Sequence, residues 1–255
     1  MKFQLLGTGT SQGIPVIGCH CEVCQSKDYR DKRLRTAAVF MDSYGHNIAI
    51  DCGPDFRQQM LRARINELEG ILITHTHNDH IVGLDDVRPF NFSMKRSIPL
   101  YGLEQHLEEI RSRFTYVFED NPYPGAPKID LIPISPYKPL AIQGIQILPI
   151  LVWHGDLEVL GFRIGNYAYI TDTNRIPERS IAELRDLDIL ILDSLHHKKH
   201  HSHFNFEQSI TVAQRIGARR TFLIHISHHM GLHQSIDRRC PENIHLGFDG
   251  MILEN

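Results

Sequence analysis

Nothing in this sequence reads as a membrane span. A bilayer-crossing helix needs about 20 consecutive apolar residues, and no run here approaches that. At the start, Met1-Lys2-Phe3-Gln4-Leu5-Leu6-Gly7 turns to glycine and threonine before a signal-peptide core could form, so a cytoplasmic location with no membrane partner is expected. A basic surplus is also lacking: 27 Lys and Arg stand against 30 Asp and Glu, a formal charge of -3. Binding a nucleic acid through phosphate electrostatics requires the opposite balance. Cysteine is scarce, five in all, too few for a secreted disulfide framework and more consistent with a reduced compartment. There is no internal repeat and no low-complexity linker. At 255 residues and 42% hydrophobic content, one core and one domain over 1–255 are predicted.

Glycine-rich chemistry is present only in part. Gly7-Thr8-Gly9-Thr10-Ser11-Gln12-Gly13 follows a short strand over Lys2 to Leu6. No Gly-Lys-Ser/Thr follows it, and the spacing falls short of GxGxxG, which leaves a phosphate cradle and a simple turn both open.

What the chain has in quantity is histidine, 17 residues. The apolar run Gly70-Ile71-Leu72-Ile73 reads as a buried strand, and Thr74-His75-Thr76-His77-Asn78-Asp79-His80 reads as the loop at its C-terminal end. His75 and His77 are two apart, so an extended backbone projects both imidazoles to one side, while Asp79 and His80 can start a helix toward a neighbouring position. An HxHxDH cluster at a strand mouth suits two adjacent metal ions.

A second ligand cluster lies at Gly18-Cys19-His20-Cys21-Glu22-Val23-Cys24, inside a small Cys-rich loop at 18–35. Cys19, Cys21 and Cys24 can hold three corners of a tetrahedral zinc, with the fourth ligand from elsewhere, since His20 sits badly between two of them. A set of free thiols in a loop is the alternative.

Other apolar runs end on polar residues. Arg35–Met41 and His46–Asp51 read as a hairpin whose second strand ends at Asp51, either an acceptor for the outer N–H of a ligand imidazole or a turn residue. Asp55 to Ile65 is predicted helical, and Ile81 to Arg88 a helix stopping at Pro89. Ile98 to Tyr101 is expected to be a strand and Leu103 to Phe118 one helix with His106 on the surface. The proline-rich stretch 119–127 should be irregular. Strands are expected over Lys128–Ile134, Leu140–Val152, Val159–Ile164, Tyr167–Ile170, Asp188–Leu192 and Arg220–Ile224. Helices are expected over Pro177–Leu184 and Asn205–Ile216. Three of these strands run into His154, Asp172 and His225.

HxHxDH followed in order by His154, Asp172 and His225 resembles the metallo-β-lactamase-fold hydrolases over essentially the whole chain. With Gly7-Thr8-Gly9-Thr10, the three cysteines, Ser227-His228 and Gly247-Phe248-Asp249-Gly250-Met251, it looks most like the PhnP-type cyclic phosphodiesterases. The resemblance implies an α/β fold, a four-layer αββα sandwich. It implies a dinuclear centre with His75, His77 and His154 on one ion, Asp79, His80 and His225 on the other, and Asp172 bridging them. It implies that His228 completes a structural zinc site with Cys19, Cys21 and Cys24. It also gives His203, just before a predicted helix start, the role of catalytic proton donor beside Asp79. The rest of the His196-His197-Lys198-Lys199-His200-His201 run reads as a solvated loop.

Two divalent ions, zinc or manganese, together with one structural zinc, suit phosphodiester chemistry, in which a metal-bridging hydroxide attacks phosphorus. The expected activity is hydrolysis of a small phosphodiester, of cyclic ribose type on the resemblance. The alternatives are a ribonuclease Z-like processing nuclease, against which the missing basic surplus counts, thioester or lactam hydrolysis, and a catalytically silent metal-binding module. The oligomeric state is left open, a homodimer included.

Overall fold

A computed structural model describes residues 1–254. Its central strands, such as Gly70–Leu72, Tyr167–Ile170 and Ile189–Asp193, are buried on both faces, so they read as continuous runs and not as alternating ones. In chain order the strands are β1 (Lys2–Gly7), β2 (Ala37–Met41), β3 (Asn47–Ile50), β4 (Gly70–Leu72), β5 (Ile98–Gly102), β6 (Ile129–Pro133), β7 (Leu140–Ile142), β8 (Ile145–His154), β9 (Leu157–Ile164), β10 (Tyr167–Ile170), β11 (Ile189–Asp193), β12 (Arg220–Ile224), β13 (Ile244–Leu246) and β14 (Ile252–Glu254). They form two seven-stranded sheets, ordered β14-β1-β2-β3-β4-β5-β6 and β13-β12-β11-β10-β9-β8-β7. Each sheet starts antiparallel and turns parallel: from β3 to β6 in the first, from β10 to β13 in the second.

Three layers of apolar contact hold the four-layer sandwich. Phe3, Phe40, Phe162, Tyr169 and Ile224 fill the space between the sheets. Phe56, Met60, Leu107 and Ile110 cover the outside of the first sheet, and Ile181, Phe206, Ile216 and Ile236 the outside of the second. Each such side chain stabilises the fold by about 1.5–3 kcal/mol on burial. This is the metallo-β-lactamase fold. No helix among the described residues is long and apolar enough to cross a membrane.

The parallel strands are what matter for function, since they deliver β3, β4, β10, β11 and β12 to one edge with their C-terminal ends together. The two sheets are also tied there through the backbone. Leu160 N–H donates to the Thr74 carbonyl at 3.0 Å, and Gly9 bridges to both Arg35 and Ile226. That close approach explains the glycines of the first loop, because a Cβ at Gly7 would lie 1.9 Å from the Arg35 carbonyl oxygen.

Several local expectations differ from the structure. The helix expected to stop at Pro89 is instead a short 3₁₀ turn, Val82–Val87, followed by a helix over Arg88–Met94 with Pro89 in its first turn, where a missing N–H costs nothing. The long helix predicted over Leu103 to Phe118 breaks at Phe114 into Glu104–Arg113 and Thr115–Phe118, which turns Val117 onto the core. His106 is buried, not superficial, because it shares the inner face of its helix with Leu107 and Ile110; burial lowers its pKa to about 4. The short strands β13 and β14 carry no period that three residues could display.

The helix Phe206–Ile216 starts with a capping box: the Asn205 side chain accepts from Gln208 N–H at 2.9 Å, and Gln208 accepts from Asn205 N–H at 3.0 Å. Asn205→Ala removes it and should cost about 1 kcal/mol. A thermal melt should register this as a drop of roughly 2–4 °C; an unchanged melt would show the helix start to be held by packing alone.

Candidate metal centre

Three of the strand ends bend in the same unusual way. Asp51 after β3, Asp172 after β10 and His225 after β12 have φ of 66°, 49° and 60°. The left-handed region is costly for side chains with a Cβ, by about 1–3 kcal/mol each, and such residues cluster at functional sites. Here it turns each side chain off the end of its strand and across the top of the sandwich. β4 contributes His75 and His77 from an extended segment, and His77 is the N-cap of the short helix Asn78–Ile81 that carries Asp79 and His80. His154 is the last residue of β8.

These side chains meet. His75, His77 and His154 have ring centroids 4.5, 5.6 and 5.0 Å apart, with donor atoms within 4.8 Å of one another. Beside them, His80 Nε2 lies 3.3 Å from Asp79 and 3.4 Å from Asp172 Oδ2, and His225 Nδ1 lies 3.2 Å from the same Oδ2. The other oxygen, Asp172 Oδ1, is 4.0 Å from His75 Nε2. One carboxylate thus stands between a three-histidine group and a His-Asp-His group. All are buried except His77, which is exposed, and Asp79, partly so; the centre opens to solvent on that side.

The protonation states suit a cation. Burial drives the pKa of His75 well below normal, takes His154 to about 4 and lowers His225, leaving neutral nitrogen donors. Burial opposes ionisation of Asp172, but His225 and His80 prevail and hold it well below the usual carboxylate range. Asp79 is likewise burdened by burial and brought to about 2 by His80. His80 is the exception: against its burial, the carboxylates of Asp172, Asp51 and Asp79 raise its pKa, the position a metal ion would take from a proton. His80 Nε2 and His225 Nδ1 are buried without a hydrogen-bond partner. Orphaned polar atoms cost about 1–3 kcal/mol each, and a divalent ion bound among these groups removes that cost.

A second set of residues aims the first. Asp51 accepts from His80 Nδ1 at 2.7 Å and from the Thr74 amide at 2.9 Å, while the Thr74 hydroxyl lies 3.0 Å from His75 Nδ1. The Ser202 carbonyl takes His154 Nδ1 at 2.8 Å. Of the two readings left for Asp51, the structure favours the acceptor. Asp193, at the end of β11, accepts from His203 Nδ1 at 3.2 Å and from the Phe204 amide at 3.1 Å. His203 stacks on His225, centroids 4.7 Å apart, and stands edge-on to His154 at 4.5 Å. Burial disfavours its charge, but Asp193 outweighs this and lifts its pKa to about 9. Neither Asp193 nor Thr74 stood out in the sequence, although Asp193 closes an apolar run just as Asp51 and Asp172 do.

The cysteines gather at a separate point. Cys19 and Cys21 sulfurs lie 3.3 Å from His228 Nδ1 and Cys24 at 3.6 Å, while His20 is exposed. The backbone N–H of Cys24 and the His228 ring lower Cys21 to about 6; burial pushes Cys24 up to about 11. Three sulfurs and one nitrogen are the donor set of a closed, tetrahedral zinc site. His225 and His228 do face different ways, but by a left-handed kink at His225 and a 3₁₀ turn, His228–Met230, capped by Ser227, not by strand alternation. The run His196–His201 is less solvated than expected, since only 198, 199 and 201 are exposed. The proline-rich loop walls a groove of about 940 Å³ with Asn91, Lys128 and Asp130, among whose lining residues none belongs to either metal group.

Residues 46–226 match the family described as beta-lactamase superfamily domain. An octanoyltransferase of Porphyromonas gingivalis is 42% identical over 98% of this chain, and the match covers 51% of that protein. A ribonuclease Z of Halalkalibacterium halodurans is 35% identical over 33% of this chain and 23% of its own length. The chain therefore spans about half, or less, of the length of these curated relatives. Among solved structures, a diphosphatase from the PhnP family is 38% identical with a TM-score of 0.92, covering 99% of this chain and 96% of that one. Zn²⁺-bound PqqB from Methylobacterium extorquens, at 18% identity and a TM-score of 0.79, covers all of both chains and shares the fold.

Asp172→Ala should abolish metal-dependent hydrolysis while circular dichroism stays native. Cys21→Ser should lower the melting temperature and leave metal at the His-Asp centre nearly unchanged, because a ligand of a closed site contributes to folding and not to chemistry. The opposite pattern in metal analysis and melts would exchange the two assignments.

Proposed function

The chain belongs to the beta-lactamase superfamily and, within it, to the PhnP family, as a metal-dependent hydrolase of the metallo-β-lactamase fold; from that premise we propose that it hydrolyses a small phosphodiester, of cyclic ribose type. The observation that carries this reading is His203, held by Asp193 at the edge of the His-Asp centre with its ring stacked on His225. Thioester hydrolysis gains less from a dedicated acid placed there, because a thiolate leaves without a proton, than does expulsion of a sugar alkoxide, which departs poorly without one.

Two divalent ions, zinc or manganese, held by His75, His77, His154, Asp79, His80, His225 and Asp172, would supply Lewis-acid charge and an activated water for in-line displacement at phosphorus. The protein's own residues do the rest. Asp51, Thr74 and the Ser202 carbonyl keep the imidazoles in one tautomer and one orientation. Asp79 and Asp172 keep their negative charge on the side facing the imidazoles. His203 releases its Nε2 proton to the leaving oxygen while Asp193 fixes Nδ1–H and balances the charge. Cys19, Cys21, Cys24 and His228 would hold a structural zinc, which would brace the loop at 18–35. The formal charge of -3 fits a small substrate better than RNA, and the protein is expected in the cytoplasm with no membrane partner.

A second reading, cleavage of a phosphoanhydride, is favoured by one observation: the 38%-identical relative of known structure is described as a diphosphatase. The acid separates the two, because phosphate is a far better leaving group than an alkoxide and needs less protonation. The octanoyl transfer in the name of the longer relative is that protein's and plays no part in the proposal.

Metal-reconstituted protein should be assayed against cyclic and linear phosphodiesters and diphosphate esters. His203→Ala should depress turnover of an alkyl cyclic phosphodiester by about 10²- to 10⁴-fold and that of bis(p-nitrophenyl) phosphate far less. An equal loss on both substrates would remove His203 from the role of acid, and turnover confined to diphosphates would favour the second reading.

A further inference from the structure

The histidine-rich run is not exhausted by the metal centre. Of its members only His203 reaches Asp172. His197 is structural, with Nε2 3.0 Å from the Met230 carbonyl and its ring edge-on to Phe206. His196 and His200 remain, with ring centroids 6.0 Å apart, and His229, from the turn after β12, stands 6.3 Å from His196. These spacings are within 0.2 Å of that between His80 and His225 in the centre, 6.1 Å. His196 Nδ1 is buried with no hydrogen-bond partner, a condition it shares with His80 Nε2 and His225 Nδ1 in the centre and with both ring nitrogens of His106 in the core. His200 Nδ1 lies 3.3 Å from the Ser202 hydroxyl, which can accept its proton and leave the Nε2 lone pair to an ion.

The three rings also complete a file. His228 and His229 are 4.0 Å apart, His229 and His196 6.3 Å, His196 and His200 6.0 Å, His200 and His203 5.2 Å, and His203 and His225 4.7 Å. Imidazoles thus run without a gap from the thiolate cluster to the His-Asp centre. We propose that His196, His200 and His229 form a further, exchangeable site for a borderline divalent cation of the zinc, nickel or cobalt kind, at the surface between the two metal groups. Imidazole nitrogens without a carboxylate select such ions over magnesium, calcium and manganese. His229 is exposed and free to rotate about its side-chain torsions onto an ion held by His196 and His200, and Lys198 and Lys199, also exposed, can swing away from it. Three nitrogens leave a fourth position to water, as suits an ion that comes and goes.

The site does not depend on what the His-Asp centre hydrolyses, and its test reads binding. Metal-replete protein, desalted until its metal content is constant, is titrated with zinc chloride in a calorimeter. One further equivalent is expected, bound at least about tenfold more weakly by His196→Ala and by His229→Ala, with the ions already in place unchanged in number. His229→Ala carries the test if loss of the half-buried His196 side chain disturbs the fold. No further equivalent in the parent protein, or an equivalent retained at full affinity in both variants, would overturn the proposal.

Discussion

A carboxylate shut away from water is the constraint on which the rest of this structure depends. Asp172 is buried to 2% exposure, and an isolated buried charge is destabilising by several kcal/mol unless its surroundings answer it. Here they do so on two sides, with His80 and His225 on one oxygen and His75 on the other. Remove the imidazoles and the charge is intolerable; remove the charge and His80 loses the carboxylate that does most to offset its own burial. The group is therefore coherent only as a whole, and most coherent around cations.

Holding it in place takes rigidity from both sheets. The loop after β3 packs against the helix Asn78–Ile81 so tightly that a Cβ on Gly53 would stand 1.9 Å from the Asp79 carbonyl oxygen, while Cys52 N–H donates to the His80 carbonyl at 2.7 Å. From the other sheet, Thr171 hydrogen-bonds Asp172 at 2.6 Å, and Thr10, in the loop after β1 of the first sheet, meets His225 Nε2 at 3.2 Å. The left-handed backbone of Asp51, Asp172 and His225 is stored strain, sustained by the packed core beneath, where Phe3, Phe40, Phe162 and Tyr169 lock the sheets together. Strained strand ends above a rigid sandwich are a way to keep the positions of these side chains constant, with exposed His77 on the open side.

Two metal groups share one turn of chain. His225 and His228 lie three residues apart yet serve the His-Asp centre and the thiolate cluster respectively. The kink between them makes the loop at 18–35 part of the active edge and not an appendage: buried Arg33 donates to Thr8 at 2.8 Å and lies 3.1 Å from His233 Nδ1, and Asp249 accepts from Leu34 and Thr8. Disturbing the cysteines should therefore be felt as lost stability spread over the glycine loop and the chain's last turn.

The residue types and short spacings were legible in the chain itself: HxHxDH, the three clustered cysteines, and apolar runs ending on His154, Asp172 and His225. Ligand chemistry is a property of side chains and of neighbours a few residues apart, so a sequence displays it directly. What no spacing could display was Asp193 behind His203, the burial of His106, the left-handed strand ends, the pairing of β13 and β14, and the approach of His229 to His196. Each depends on contacts between segments ten or more residues apart, made only when strand pairing and sheet stacking bring them together. Which donors exist, and where strands end, is written along the chain; which donors meet is set only on folding, because convergence comes from long-range backbone pairing and core packing that short-range pattern does not encode.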